Sequence, residues 1–122
     1  MRTIAQKRAE YALQKTLETK RLIDSEKLKS FSAGAPSMIL QNGFGQTIAF
    51  WLAKGKAEHM ALFRILTEWL KSTDSRNFGN CQQPADYVQR LAAMEQGDYL
   101  RCQSETLALL EWVKRFANAD ML

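Results

Sequence analysis

The residues in this chain best suited to chemistry are cations. Lys7, Arg8, Tyr11 and Lys15 fall within about 100° of one another on a helix of roughly 3.6 residues per turn. Gln14 and Arg21 extend the same side. Ammonium and guanidinium groups at this spacing match the phosphates along a strand, and a tyrosine among them can stack on a base. A solvated helix face with Tyr11 tucked against a neighbour would show the same pattern. Lys54 and Lys56 flank Gly55 and form a second, smaller basic cluster at a turn.

Groups that could act on a covalent bond are scattered. His59 is the only histidine and stands beside Glu58, with no second histidine or cysteine at metal-ligand spacing. Its expected place is structural or at the surface. Glu68, Glu95 and Glu111 are single carboxylates on separate helical segments, whereas acid–base chemistry needs groups within hydrogen-bond reach. Ser30, Ser32 and Ser37 lack a nucleophile-elbow context. Gly43-Phe44-Gly45-Gln46 invites comparison with phosphate-cradling loops, but no strand precedes it and no Gly-Lys-Ser/Thr follows. Gly43 instead reads as a left-handed helix cap, and Gly45 as a site of close packing. Cys102 lies on an apolar stripe with Leu109, Leu110 and Val113, as a buried inert thiol would. Cys81 falls in a polar loop and is expected to be exposed. No catalytic group, metal site or cofactor is implied.

The elements that must position these groups read as helices throughout. Period-two alternation is absent and helix formers dominate. A first helix is expected over about 3–22, with a stripe of Ala5, Ala9, Ala12, Leu13, Thr16 and Leu17. Short helices are expected over 25–32, capped by Asp24, and from Pro36 to Asn42. The stretch Gly45–Ala53 is apolar nearly all round, which predicts complete burial, Phe50 included. A helix over 57–71 is followed by a solvated, mobile loop near 72–84. Pro84 opens a segment with Val88, Leu91 and Ala92 inward and an Asp86–Arg90 pair, which Gly97 ends. The last helix spans about 98–118. The expectation is a single all-α domain over 1–122, a compact bundle of about six helices.

Composition fits one such domain. A chain of 122 residues buries roughly two thirds of its unfolded surface. No apolar run approaches membrane-spanning length, and the N-terminus is charged without a signal-peptide core, so a cytoplasmic protein is expected. The net charge is +4, and its distribution is uneven. Residues 1–60 carry ten Lys/Arg against five Asp/Glu, whereas 61–122 carry seven against eight. The excess favours a polyanionic partner.

The central segment resembles the small α-helical subunit of the Cmr complex, the type III-B CRISPR effector built around RAMP proteins. The matching residues are Ala35-Pro36, Met38-Ile39-Leu40, Asn42-Gly43-Phe44-Gly45-Gln46, Ile48-Ala49-Phe50-Trp51-Leu52 and Lys54-Gly55. The opening Gln6-Lys7-Arg8-Ala9-Glu10-Tyr11-Ala12, and Leu62–Leu70 with Trp69, are also similar. Ala35 departs from the larger apolar residue common there. The C-terminal third agrees in helical character rather than by motif.

The resemblance implies a non-catalytic subunit acting in antiviral defence. Its implied partners are CRISPR RNA, target RNA, the backbone RAMP protein, the large polymerase-like subunit and stacked copies of itself. No membrane is involved, and cleavage belongs to other subunits. Lys7, Arg8, Tyr11, Lys15, Arg21, Lys54 and Lys56 then become candidate RNA contacts. The alternatives are a DNA-binding regulator, for which no helix-turn-helix is evident, a generic helical interaction module, or a small enzyme built from His59 and dispersed carboxylates.

Overall fold

Thr3 starts the first helix by a reciprocal cap: its side chain accepts from the Gln6 amide, and the Gln6 side chain accepts from the Thr3 amide. The helix α1 then runs Ile4–Leu22. The computed structural model describes residues 1–121. Asp24 caps α2, Ser25–Asn42, by accepting from the Glu26 and Lys27 amides. There follow α3 (Phe44–Lys54), α4 (Ala57–Thr73), α5 (Ser75–Phe78), α6 (Pro84–Ala93) and α7 (Gln96–Asn118). The described residues form no strand, and none of their helices is long and apolar enough to cross a membrane.

The long helix α7 packs along both α1 and α2, while α4 lies on α3 and also touches α1, α2 and α7. One apolar cluster joins them. Trp51, Phe44, Leu28, Ile39, Leu62, Leu109 and Val113 are fully enclosed within it. Full burial of each such side chain contributes about 1.5–3 kcal/mol.

The two short helices expected over 25–32 and 36–42 are one continuous helix. Pro36 sits inside it, so residue 36 offers no amide to the carbonyl one turn back, that of Ser32. Leu28, Ala35, Pro36 and Ile39 are all buried, and this packing offsets the lost bond.

The segment near 72–84 is not an open loop either. Asp74 accepts from the Asn77 amide and side chain, which closes the short turn of α5. The turn swings Phe78 into the core, where it stacks on Tyr87 at 5.9 Å. Cys81 follows it inward and is buried, contrary to the exposure expected from its polar neighbours. Its carbonyl accepts from Lys71 Nζ, and burial raises its thiol pKa. Cys102 is buried as expected, and burial, with Asp74 and Asp98 nearby, pushes its pKa up to about 11.

Smaller differences follow from helix rotation. Ala5 and Ala92 are exposed. Asp86 and Arg90 do not pair: Asp86 accepts from the Gln82 and Gln83 amides, and Arg90 donates to Asn77 Oδ1. Gly97 falls within the first turn of α7 rather than ending a helix.

The apolar helix α3 is buried on one side only. Phe44, Thr47, Ile48 and Trp51 face the core, whereas Ala49 and Phe50 are exposed, Phe50 by 45%. The expected burial of Phe50 is therefore wrong. The helix lies at the edge of the bundle, with α2, α4 and α6 covering the rest of its surface.

The α2–α3 elbow turns on Gly43, at φ 87° and ψ 157°. Its amide donates to the Ile39 carbonyl and its own carbonyl accepts from the Thr47 amide, so one residue ends α2 and starts α3. The φ is positive as expected, but ψ lies outside the left-handed helical region, in a region open essentially to glycine. Gly45 is close-packed as expected: its amide donates to the Tyr99 hydroxyl, and an added Cβ would lie 3.4 Å from that oxygen. A Cβ at Gly43 would meet nothing within 4 Å, so a substitution there carries only backbone strain. Gly43→Ala should lower stability by about 1–3 kcal/mol in urea denaturation. Gly45→Ala should cost less, because its backbone is helical. Equal losses would show that crowding rather than backbone conformation sets the elbow.

Candidate nucleic-acid interface

The cation-rich side of α1 faces the bundle along much of its length. Arg8 donates from Nε and an Nη to the two carboxylate oxygens of Glu105 on α7, at 2.9 and 2.8 Å. Trp69 Nε1 on α4 donates to the same carboxylate at 2.8 Å. The Arg8 side chain is only 13% exposed. Tyr11 donates to the Ile65 carbonyl at 2.7 Å and lies 4.9 Å from the Trp69 ring. Burial, with Glu68 and Glu18 nearby, raises its pKa. Lys15 approaches Glu18 and Glu68 at 3.7 and 3.6 Å and lies over the Tyr11 ring. The structure therefore brings Arg8, Tyr11 and Lys15 together, but at a seam between helices. The physical reason is that the carboxylates of α7 and α4 meet them there, which helix periodicity alone does not reveal. Lys7 and Arg21 are exposed.

Glu105 is a residue that sequence reasoning missed. Its signal is its position, a carboxylate on the α7 stripe between Cys102 and Leu109, where an unpaired charge would be costly.

A second group of cations does reach solvent. The α1–α2 and α3–α4 turns lie side by side and form a cleft lined by Leu22, Ile23, Asp24, Lys27, Lys56 and Glu58. Lys54 ends α3 one turn from Phe50, with Nζ 5.6 Å from the ring centre. Gly55, at φ 63° and ψ 13°, provides the left-handed cap that separates the two lysines. Among the described residues, Lys27, Lys54 and Lys56 have no carboxylate partner within ion-pairing distance. Asp24 is engaged in capping α2. Lys27, which sequence spacing did not single out, is brought to Lys56 only by the packing of the two turns.

His59 lies just inside this end. Its ring centre is 4.1 Å from that of Phe31 and 6.4 Å from that of Phe50. Its Nδ1 is buried without a hydrogen-bond partner, 3.7 Å from Glu58. Burial lowers its pKa, Lys56 and Lys54 lower it further, and Glu58 opposes them. The imidazole is therefore neutral at physiological pH and acts as an aromatic spacer. No group of three or more metal-ligating side chains occurs among the described residues.

The Glu105 contact has a signature in pH. Burial alone would raise its pKa, but hydrogen bonds from Arg8 and Trp69, together with the Arg8 charge, hold it below the ordinary 4.5. A depressed folded pKa adds stability above the unfolded value and loses it as pH falls through the folded one. Glu105→Gln should therefore cost about 1.5–3 kcal/mol near neutrality. The stability gap between the two proteins, read by urea denaturation, should close as pH falls through the ordinary glutamate range and below it. A gap independent of pH would rule out the ion pair as its source.

The comparisons with known proteins agree with this architecture. The family model described as CRISPR-associated protein (Cas_Cmr5) matches residues 4–120. The CRISPR system Cmr subunit Cmr5 of Thermus thermophilus is 32% identical over 119 residues, covering 98% of this chain and 96% of the relative. An X-ray crystal structure of a CRISPR-associated Cmr5 family protein, also from Thermus thermophilus, matches with a TM-score of 0.77 at 29% identity, over 96% of each chain. The match extends through the C-terminal third, where sequence motifs alone are weak. The resemblance carried by the Gly43 elbow and the opening of α1 thus holds across nearly the whole chain, which belongs to the Cas_Cmr5 family of CRISPR-associated proteins.

Proposed function

We propose that this chain is a small, non-catalytic subunit of a type III-B Cmr effector complex. It positions guide and target RNA through backbone contacts and sits beside the RAMP backbone and the large subunit. Family membership over residues 4–120 supports its place in the complex. The observation that carries the RNA reading is the solvated group of Lys27, Lys54 and Lys56, held by two adjacent turns without carboxylate partners among the described residues.

Such contacts are independent of RNA sequence. In guide-directed recognition, base pairing reads the sequence, and the protein senses backbone charge and shape. Three lysines bind weakly and are easily screened by salt. Copies stacked along one RNA would add these weak contacts into a tight assembly. Arg8, Tyr11 and Lys15 act in this reading through the fold, by fixing α1 on α4 and α7. Lys7 lies roughly 20 Å from Arg21 along α1, so it would touch a different part of the RNA.

Replacing Lys27, Lys54 and Lys56 together with Ala should weaken binding of single-stranded RNA. It should also flatten the log–log salt dependence by about 2, at about 0.7 per lost phosphate contact. An unchanged slope would remove this end of the molecule from the RNA path. The unsubstituted protein should leave labelled RNA intact in the presence of magnesium. Cleavage that survives purification and disappears in His59→Ala would overturn the non-catalytic assignment.

A further inference from the structure

The exposure of Phe50 gives the basic end a second component. Phe50 borders a cleft of about 720 Å³ between the C-terminal part of α2 and the start of α3, lined also by Met38, Gln41, Asn42, Gln46 and Thr47. We propose that this cleft takes an unpaired nucleobase, stacked on Phe50 and met at its edge by the carboxamides of Gln41, Asn42 and Gln46. The proposal rests on the RNA-positioning reading and adds a base contact to it.

Four observations carry it. First, the aromatic ring is accessible and held in place. Phe50 is 45% exposed, yet its ring sits edge-on to His59, which in turn lies against Phe31. Every base has a π face, so a fixed exposed ring is a stacking platform that tolerates any sequence. Second, the rest of the lining is unusual for an apolar docking groove. Three of its six residues carry carboxamides, each with a donor pair and an acceptor, the groups that pair with base edges. None carries a charge, so a base would not be repelled or replaced by an ion. Third, the cleft adjoins phosphate-binding charge. Lys54 Nζ lies over one face of the Phe50 ring, 5.6 Å from its centre, so a base would stack on the opposite face, and Lys56 follows across the turn. A base on Phe50 would leave its own phosphate near that ammonium.

Fourth, the walls are fixed in advance. The Thr47 hydroxyl is placed to donate to either the Met38 or the Gly43 carbonyl, at 3.0 and 2.8 Å. This ties α3 to α2 directly beneath the cleft. The cleft is therefore built before ligand arrives, and little ordering cost opposes binding.

The test uses the full chain and short single-stranded RNA, with and without abasic positions, by fluorescence anisotropy at low salt. Phe50→Leu keeps an apolar side chain but removes the π face, and Phe50→Tyr restores it. The expected result is an affinity loss of about five- to hundred-fold in Phe50→Leu, with an unchanged salt slope and near-normal binding by Phe50→Tyr. Abasic RNA should bind the unsubstituted protein correspondingly more weakly, a measurement that needs no folded variant. Equal binding of abasic and intact RNA, or wild-type affinity in Phe50→Leu, overturns the base site. The backbone reading then stands if the lysine variant still loses its salt slope. If the lysine variant is also unaffected, both fall. Unchanged RNA affinity in Phe50→Leu with lost co-assembly of the other Cmr subunits likewise overturns the base site and assigns the cleft to a protein partner.

Discussion

Glu105 is the polar contact around which the bundle is organised. Its two oxygens receive two donors from Arg8 on α1 and one from Trp69 on α4, while the residue itself belongs to α7. Three helices distant in sequence thus meet at one carboxylate. Apolar packing alone would bring these helices together in more than one register. A partly buried carboxylate that requires a forked guanidinium and an indole N–H at fixed positions leaves far fewer. Tyr11 reinforces the same register by donating to the Ile65 carbonyl one turn before Trp69. With α1 and α4 locked, the α1–α2 and α3–α4 turns are fixed side by side. The cleft shared by Lys27 and Lys56 depends on that placement.

The elbow between α2 and α3 solves a different problem. It reverses an apolar chain while satisfying several of the backbone groups that helix ends leave free. Gly43 both donates to the last turn of α2 and accepts from the first turn of α3, and the Thr47 hydroxyl reaches carbonyls on the same turn. The Tyr99 hydroxyl accepts the Gly45 amide and ties the elbow to α7. The glycines therefore serve geometry rather than ligand binding, and what the elbow exposes, Phe50 and the carboxamides, lies beside them.

Much of this was legible in the sequence, for physical reasons. Helix class, the Gly43 turn, the burial of Cys102 and the family motifs are all local patterns, and local patterns survive folding. Three features were hidden because they depend on tertiary placement. Pro36 reads as a helix start, but burial of Leu28 and Ile39 on either side carries the helix through it. Phe50 reads as core because its neighbours are apolar, and only the edge position of α3 leaves it open. Arg8 reads as a solvated cation because its partner lies 97 residues away. Phe78 and Cys81 illustrate the converse. Polar neighbours disguised two buried residues that a single short turn carries inward.

The pairing of some cations and not of others sets the range over which their charge acts. Arg8 pairs with Glu105 at a helix seam and Lys15 with Glu18 and Glu68 at the surface, so their fields are largely cancelled at a distance. Lys27, Lys54 and Lys56, at adjoining turns, are not cancelled in this way. The same two turns also hold Asp24 and Glu58, so this end carries a local mosaic of charge rather than a uniform pole. Charge arranged in this way acts at short range, because opposite charges a few ångströms apart cancel at a distance and salt screens what is left.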